Sequence, residues 1–181
     1  MLRVTRRAAG CCVAALARPV SAQTLEGRVV GVSDGDTLTV LVVRQPSEQG
    51  ASVVRQQITV RVSGIDAPEK AQPFGERSKQ GLSQCAFGKQ ALIDVIKRDR
   101  FGRSVAKVTV DGTDCGLRQI QDGMAWHFRK YMSDQPPPDR VSYAAAQDKA
   151  REERLGLWAD PSPMPPWEFR HPRLERSAGN S

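Results

Sequence analysis

The chain has 181 residues, with 27 basic against 20 acidic side chains for a net charge of +7, four cysteines and two histidines. Its apolar run from Ala8 to Ala17 is too short to span a membrane, its Cys and His spacings match no zinc site, and it has no internal repeat. The cations are unevenly spread, so their positions rather than their total decide what they imply.

Residues 1–22 read as a leader. Three arginines precede the apolar run, and Val20-Ser21-Ala22 precedes Glu26, the first acidic residue. This is the layout of a secretory signal peptide cleaved after Ala22, which predicts a periplasmic or secreted protein. An Arg-rich, acid-free segment also suits a mitochondrial transit peptide, and Arg6-Arg7 admits twin-arginine export. Cleavage removes Arg3, Arg6, Arg7 and Arg18 and leaves 23 basic against 20 acidic residues, so much of the positive charge belongs to targeting. Cys11 and Cys12 leave as well. The remaining Cys85 and Cys115 form a disulfide in an oxidising compartment, with two buried thiols as the alternative. The predicted organisation is a domain over residues 23–159, large enough for a core of its own, and a Pro-rich polar tail over 160–181.

Gly27–Val32 and Thr37–Val43 alternate in polarity around turn chemistry at Asp34-Gly35, which predicts two strands. A polar loop over 44–52 follows, and Val53–Ile65 reads as one long strand with Arg61 on the face away from the core. Leu82, Cys85 and Ala86 recur at helical spacing within 75–87. Ala91–Ile96 and Ser104–Val110 predict a hairpin around Lys97 to Arg103. Asp114 suits the cap of a helix whose buried stripe is Leu117, Ile120 and Met124. A last helix is expected from about Val141 to Leu155, stopped by Gly156, with Trp158 packing after it. Five short strands, with helices after the third and the fifth, predict a β-rich α+β fold, a closed five-stranded barrel of the OB type with about three packed helices.

Three segments carry the chemistry. Asp36 follows the first turn and Asp66 ends the third strand, so neighbouring strands bring two carboxylates toward one hard cation. Pro68 biases Ala67 toward extended backbone, which aims the Ala67 carbonyl at the same place. Glu69 follows, placed to take a proton from water. Arg61 and Arg103 bring guanidiniums that grip phosphate oxygens bidentately and stay charged. The inventory suits metal-assisted cleavage of a phosphodiester. Trp126 to Tyr131 interleaves aromatics with cations, as a stacking and phosphate surface does, and His127 there reads as a surface or boundary histidine.

These residues resemble the thermonuclease (staphylococcal nuclease) family from about Gly27 to Trp158. The motifs are Val32-Ser33-Asp34-Gly35-Asp36-Thr37, Arg61 with Asp66-Ala67-Pro68-Glu69, Asp99-Arg100-Phe101-Gly102-Arg103, and Gly156-Leu157-Trp158. The resemblance implies an OB-fold nuclease that uses Ca²⁺, acts on DNA and RNA and leaves 3′-phosphate ends. It implies Asp36, Asp66 and the Ala67 carbonyl as calcium ligands, Glu69 as general base and Arg61 and Arg103 as the phosphate pair. It further implies Arg100 near the terminal phosphate, with Arg129 and Tyr131 at the two base-flanking positions, where the family carries two tyrosines. A monomer without membrane contact is expected after cleavage of the leader. Two other readings make different predictions: a non-catalytic OB module that binds nucleic acid or protein, and an esterase using Ser33, whose Gly31-Val32-Ser33-Asp34-Gly35 matches a nucleophile-elbow pattern but leads into a strand instead of a helix.

Overall fold

Val29, Leu38, Val40, Val60, Val62, Ile93, Ala106 and Val108 lie at alternating strand positions and are at most 1% exposed. Such a period of two puts one side of every strand against a common interior. The computed structural model, which describes residues 23–44 and 52–171, closes these faces on one another. In chain order the elements are β1 (Gln23–Val32), β2 (Thr37–Arg44), β3 (Val54–Val62), β4 (Ile65–Asp66), α1 (Gly75–Ala86), β5 (Gln90–Arg98), β6 (Ser104–Val110), β7 (Thr113–Asp114), α2 (Cys115–Gln121), β8 (Trp126–His127), α3 (Pro137–Glu152) and the one-turn α4 (Pro166–Phe169). Turns of 3-10 helix span Arg129–Asp134 and Gly156–Ala159.

β1 pairs antiparallel with β2 and β5, β2 with β3 and β5 with β6, and a parallel pairing of β3 with β6 completes the ring. The result is a five-stranded OB-type barrel carrying helices, as the strand order predicts. Leu82 and Ala86 of α1 and Ile120 of α2 join the barrel core. The Asp114 side chain caps α2, accepting from Gly116 N at 2.9 Å and Leu117 N at 3.0 Å. It also accepts from the Tyr143 hydroxyl of α3, and the Cys85–Cys115 disulfide joins α1 to the start of α2. A second, smaller core gathers Trp126, Ala150, Leu157 and Trp158, with Phe74 and Trp167 against it.

Four expectations change in detail. The long third strand is two elements, because Gly64 at φ +75° turns the chain out of the barrel after β3 and starts β4. The hairpin loop shrinks to Asp99–Arg103, since Lys97 and Arg98 pair with Val105 and Ser104 beyond a bulge. α2 stops at Gln121, so Met124 lies past its end, where its carbonyl accepts from Ser78 Oγ at 2.7 Å. α3 begins four residues early, with Pro137 in the first turn, where a missing N–H costs nothing. Ser33 sits in the β1–β2 hairpin turn, its N–H bonded to Thr37 O, and a strand follows. That geometry gives no nucleophile elbow.

The leader over 1–22 and the last residues of the tail, 172–181, lie outside the described residues. Of the described helices, none is long and apolar enough to cross a membrane.

Candidate active site

The turn between β1 and β2 places the first carboxylate. Asp34 Oδ1 accepts the Asp36 N–H at 3.1 Å, the local bond that favours Asp in turns. Gly35 lies so close to the neighbouring chain that a Cβ would fall 2.7 Å from the Cβ atoms of Ala67 and Ser78. Its carbonyl accepts from Gln119 Nε2 at 2.8 Å, and the same amide also donates to Ser78 O at 2.9 Å. Asp36 therefore starts β2 on a turn clamped between α1 and α2. Its side chain is 5% exposed. One oxygen accepts the Ala67 N–H at 2.8 Å, and the other accepts Thr37 Oγ1 at 3.0 Å and pairs with Arg61 Nη1.

Arg61 lies opposite Thr37 in the β2–β3 register, and its outward side chain reaches both carboxylates. Nη2 donates to Asp66 Oδ1 at 2.7 Å while Nη1 holds Asp36. Asp66 is fully buried, with its backbone fixed by pairing of β4 with Trp126 of β8. The Ala67 backbone lies directly between them, its N–H on Asp36. The half-buried Glu69 follows Pro68, with its N–H donating to Gln72 Oε1 at 3.1 Å.

A residue far along the chain completes the cluster. Arg170 donates from Nη2 to Asp66 Oδ2 at 2.6 Å, and from Nη1 to Asp66 Oδ1 at 3.2 Å and Glu69 Oε1 at 2.6 Å. The bond to Asp66 is the main cause holding its guanidinium above the ordinary pKa, with burial opposing and Glu69 adding. Three carboxylates, two of them buried, thus meet two guanidiniums.

Arg103 stands apart from this cluster. It precedes Ser104, whose β3 partner is Val60, the neighbour of Arg61, and its Nε donates to Asp99 Oδ2 at 2.7 Å. Among the described residues neither Nη group of Arg103 is bonded, so that edge is open to a phosphate. Burial pushes the Asp99 carboxyl up, but bonds from the Arg103 side chain and from the N–H groups of Arg103 and Phe101 outweigh it and hold it below its ordinary value. Arg100 is exposed at the hairpin tip, its guanidinium 4.7 Å from the centre of the Phe101 ring.

The aromatic and basic run divides in two. Trp126 and His127 are buried, which corrects the surface reading of His127, because pairing with β4 turns them inward. Arg129 and Tyr131 stay exposed, with the Lys97 ammonium 4.8 Å from the Tyr131 ring centre. Phe128 links Tyr131 to the strap of chain that carries Arg170, its ring lying 5.5 Å from Tyr131 and 5.6 Å from Trp167.

The donor set fits a hard cation. Asp36 and Asp66 present oxygens only, and their burial demands positive charge, which the two guanidiniums now supply. Among the described residues no group of three or more His, Cys, Asp and Glu side chains gathers to hold a metal. A divalent ion here would draw its remaining ligands from backbone carbonyl, water and substrate oxygens. Sequence reasoning missed Arg170, Asp99 and Gln119. The one signal available was Asp99 four residues before Arg103, a spacing that reads equally well as a solvated turn.

A family model described as Staphylococcal nuclease homologue matches residues 59–160. The chain is 36% identical over 163 residues to Micrococcal nuclease of Shigella flexneri, covering 85% of this chain and 84% of that protein. It is 34% identical over 154 residues to an uncharacterized endonuclease of Escherichia coli O157:H7, covering 84% and 90%, and 35% identical over 174 residues to Protein ParB of Escherichia coli, covering 91% and 89%. A match over more than half the chain, relatives aligned along nearly their full lengths and an OB barrel with its carboxylates and arginine at the motif positions lead to one conclusion: the chain belongs to the staphylococcal nuclease family.

Proposed function

We propose that the protein is an exported, monomeric, calcium-dependent nuclease that hydrolyses phosphodiester bonds in DNA and RNA and leaves 3′-phosphate ends. The observation that carries this reading is Arg61 gripping Asp36 and Asp66 together, which sets a phosphate-binding group and two hard-cation ligands at one point. Calcium would be held by Asp36, Asp66 and the Ala67 carbonyl, and would supply positive charge beside the phosphate.

Arg61, whose two Nη groups hold Asp36 and Asp66 in this structure, would yield those carboxylates to the ion and turn its Nη edge to the scissile phosphate. Arg103 would offer its two Nη groups to the same phosphate while Asp99 holds its Nε. Both stabilise the charge that grows on the phosphate oxygens, and losing one such donor typically costs about 10² to 10³ in rate. Glu69 accepts the proton of the attacking water. A P–O bond to that water forms, the bond to the 5′-oxygen breaks, the departing 5′-oxygen takes up a proton from solvent to become a hydroxyl, and the phosphate stays on the 3′ side. Arg100, Arg129 and Tyr131 bind the flanking nucleotide, with Tyr131 giving a base a ring to stack on.

Digestion of linear and circular DNA and of RNA, with calcium and then with excess chelator, tests the reading. Degradation that stops under chelation and leaves 3′-phosphates is expected, and undiminished activity in chelator refutes the metal role. Glu69→Gln should lose turnover and keep nucleic-acid affinity. A pure binding module has no turnover to lose.

A further inference from the structure

The tail folds back onto the site through several independent contacts. Gln72, which accepts the Glu69 N–H, donates from Nε2 to Met164 O at 2.6 Å. Pro166 is buried and starts α4. Trp167 lays its ring edge-on against Trp126 at 5.5 Å and tilted over Phe128 at 5.6 Å. One turn of helix then delivers Arg170 to Asp66 and Glu69. An aromatic anchor in an aromatic groove, followed by a cation on a carboxylate pair, is how a peptide docks to a receptor surface, and here the occupant belongs to the same chain.

We propose that residues 164–171 form a strap whose Arg170 competes with the metal ion for Asp66 and with water for Glu69, so that cation binding and strap release are one equilibrium. This rests on the calcium reading above. Every oxygen of Asp66 accepts a bond from a guanidinium, Oδ2 from Arg170 alone, and Glu69 Oε1 also holds Arg170. With guanidiniums on both oxygens of Asp66, an incoming cation meets two positive charges and must displace a hydrogen bond to gain bidentate access, and Arg170 leaves only Oε2 of Glu69 for a proton from water. Arg170 neutralises the buried Asp66 while the ion is absent, and Trp167 keeps it near. A ligand that must displace an internal competitor binds more weakly by the fraction of time the site is open.

Calcium titration by calorimetry on the full chain, on Arg170→Gln and on Trp167→Ala tests the competition without measuring catalysis. Trp167→Ala changes no charge, so it separates release of the strap from simple removal of a nearby cation. Both variants should bind calcium about tenfold more tightly than the parent, the ratio for a strap closed about nine-tenths of the time. Circular dichroism checks that each remains folded, and Trp167→Leu, which also changes no charge and keeps more of the apolar volume, takes the place of Trp167→Ala if that variant does not fold. Equal affinities in parent and Arg170→Gln overturn the strap and leave the calcium reading intact, as does tightening in Arg170→Gln with none in a folded Trp167→Ala. No calcium binding in any of the chains overturns the calcium reading and the competition with it.

Discussion

Arg103 owes its direction to Asp99. The Asp99 carboxylate accepts the N–H groups of Phe101 and Arg103 at 2.9 and 3.0 Å and Arg103 Nε at 2.7 Å. One side chain thus shapes the hairpin tip and aims the guanidinium, and because the carboxyl titrates below its ordinary value it remains an anion at any working pH. Asp99→Ala frees both, and a phosphate clamp that wanders by an ångström loses roughly a hundredfold in rate. The expected outcome is a drop of about 10- to 10²-fold in kcat with a smaller change in KM, measured on single-stranded DNA. Asp99→Asn, which keeps an acceptor for the backbone N–H groups, should fall between. That outcome would mark Asp99 as a positioning residue for the phosphate clamp proposed at Arg103. Asp36, Arg61 and Asp66 were legible from sequence because each sits in a strand-and-turn motif whose period fixes its direction. Arg170 was illegible because its partners lie 104 and 101 positions away, and a polar, Pro-rich segment carries no periodic signal for where it docks.

At the scale of elements, the site is held by what braces the β1–β2 turn. Gln119 of α2 is 1% exposed and feeds one amide to the carbonyls of Gly35 and Ser78. Gln119→Met keeps the volume and removes the donor, leaving the Gly35 carbonyl buried and unpaired at about 1 to 3 kcal/mol, while the Ser78 carbonyl keeps its place in the α1 ladder. Urea denaturation should show that loss, and the calcium binding proposed above should weaken in a titration, because Asp36 rides on the loosened turn. The disulfide works differently. Cys85 and Cys115 close a loop with a separation of 30, for which loop entropy gives about 3 to 4 kcal/mol. The double variant Cys85→Ser with Cys115→Ser should lower the unfolding free energy extrapolated from urea by that amount, with a steeper slope because the unlinked unfolded chain is more expanded, and leave the calcium binding proposed above as it was. The strands were readable because polarity alternates in each, and the Asp114 cap because its side chain satisfies N–H groups two and three residues on. Element ends were read less well: the break at Gly64 follows from pairing with Trp126–His127, more than sixty residues later, and the start of α3 from a proline run that suits a loop as well as a helix N-terminus.

For the whole molecule, the barrel and the tryptophan cluster meet at His127. Its ring is 3% exposed, Nε2 shares a hydrogen bond of 3.0 Å with Gln135 Oε1, the ring packs edge-on to Tyr143, and its backbone pairs with Ile65, next to Asp66. Burial is the main cause depressing its pKa below the ordinary 6.5, with the Arg129 charge adding and Gln135 and Asp148 opposing. In the window between the depressed folded value and 6.5 the unfolded chain binds the proton and the folded chain does not, so the unfolded state holds more protons and stability rises with pH there. Acidification through that window should therefore weaken the fold, with a slope of at most about 1.4 kcal/mol per pH unit for one proton. Urea midpoints taken every half unit from pH 7.5 down to 5.5 measure the slope, and His127→Gln, which cannot titrate, should flatten it. A slope that persists unchanged in His127→Gln assigns the acid sensitivity to other groups. Because β4 and β8 are the ladder that fixes Asp66, protonating His127 should also weaken the calcium binding proposed above over the same window, and that second loss should vanish in the variant.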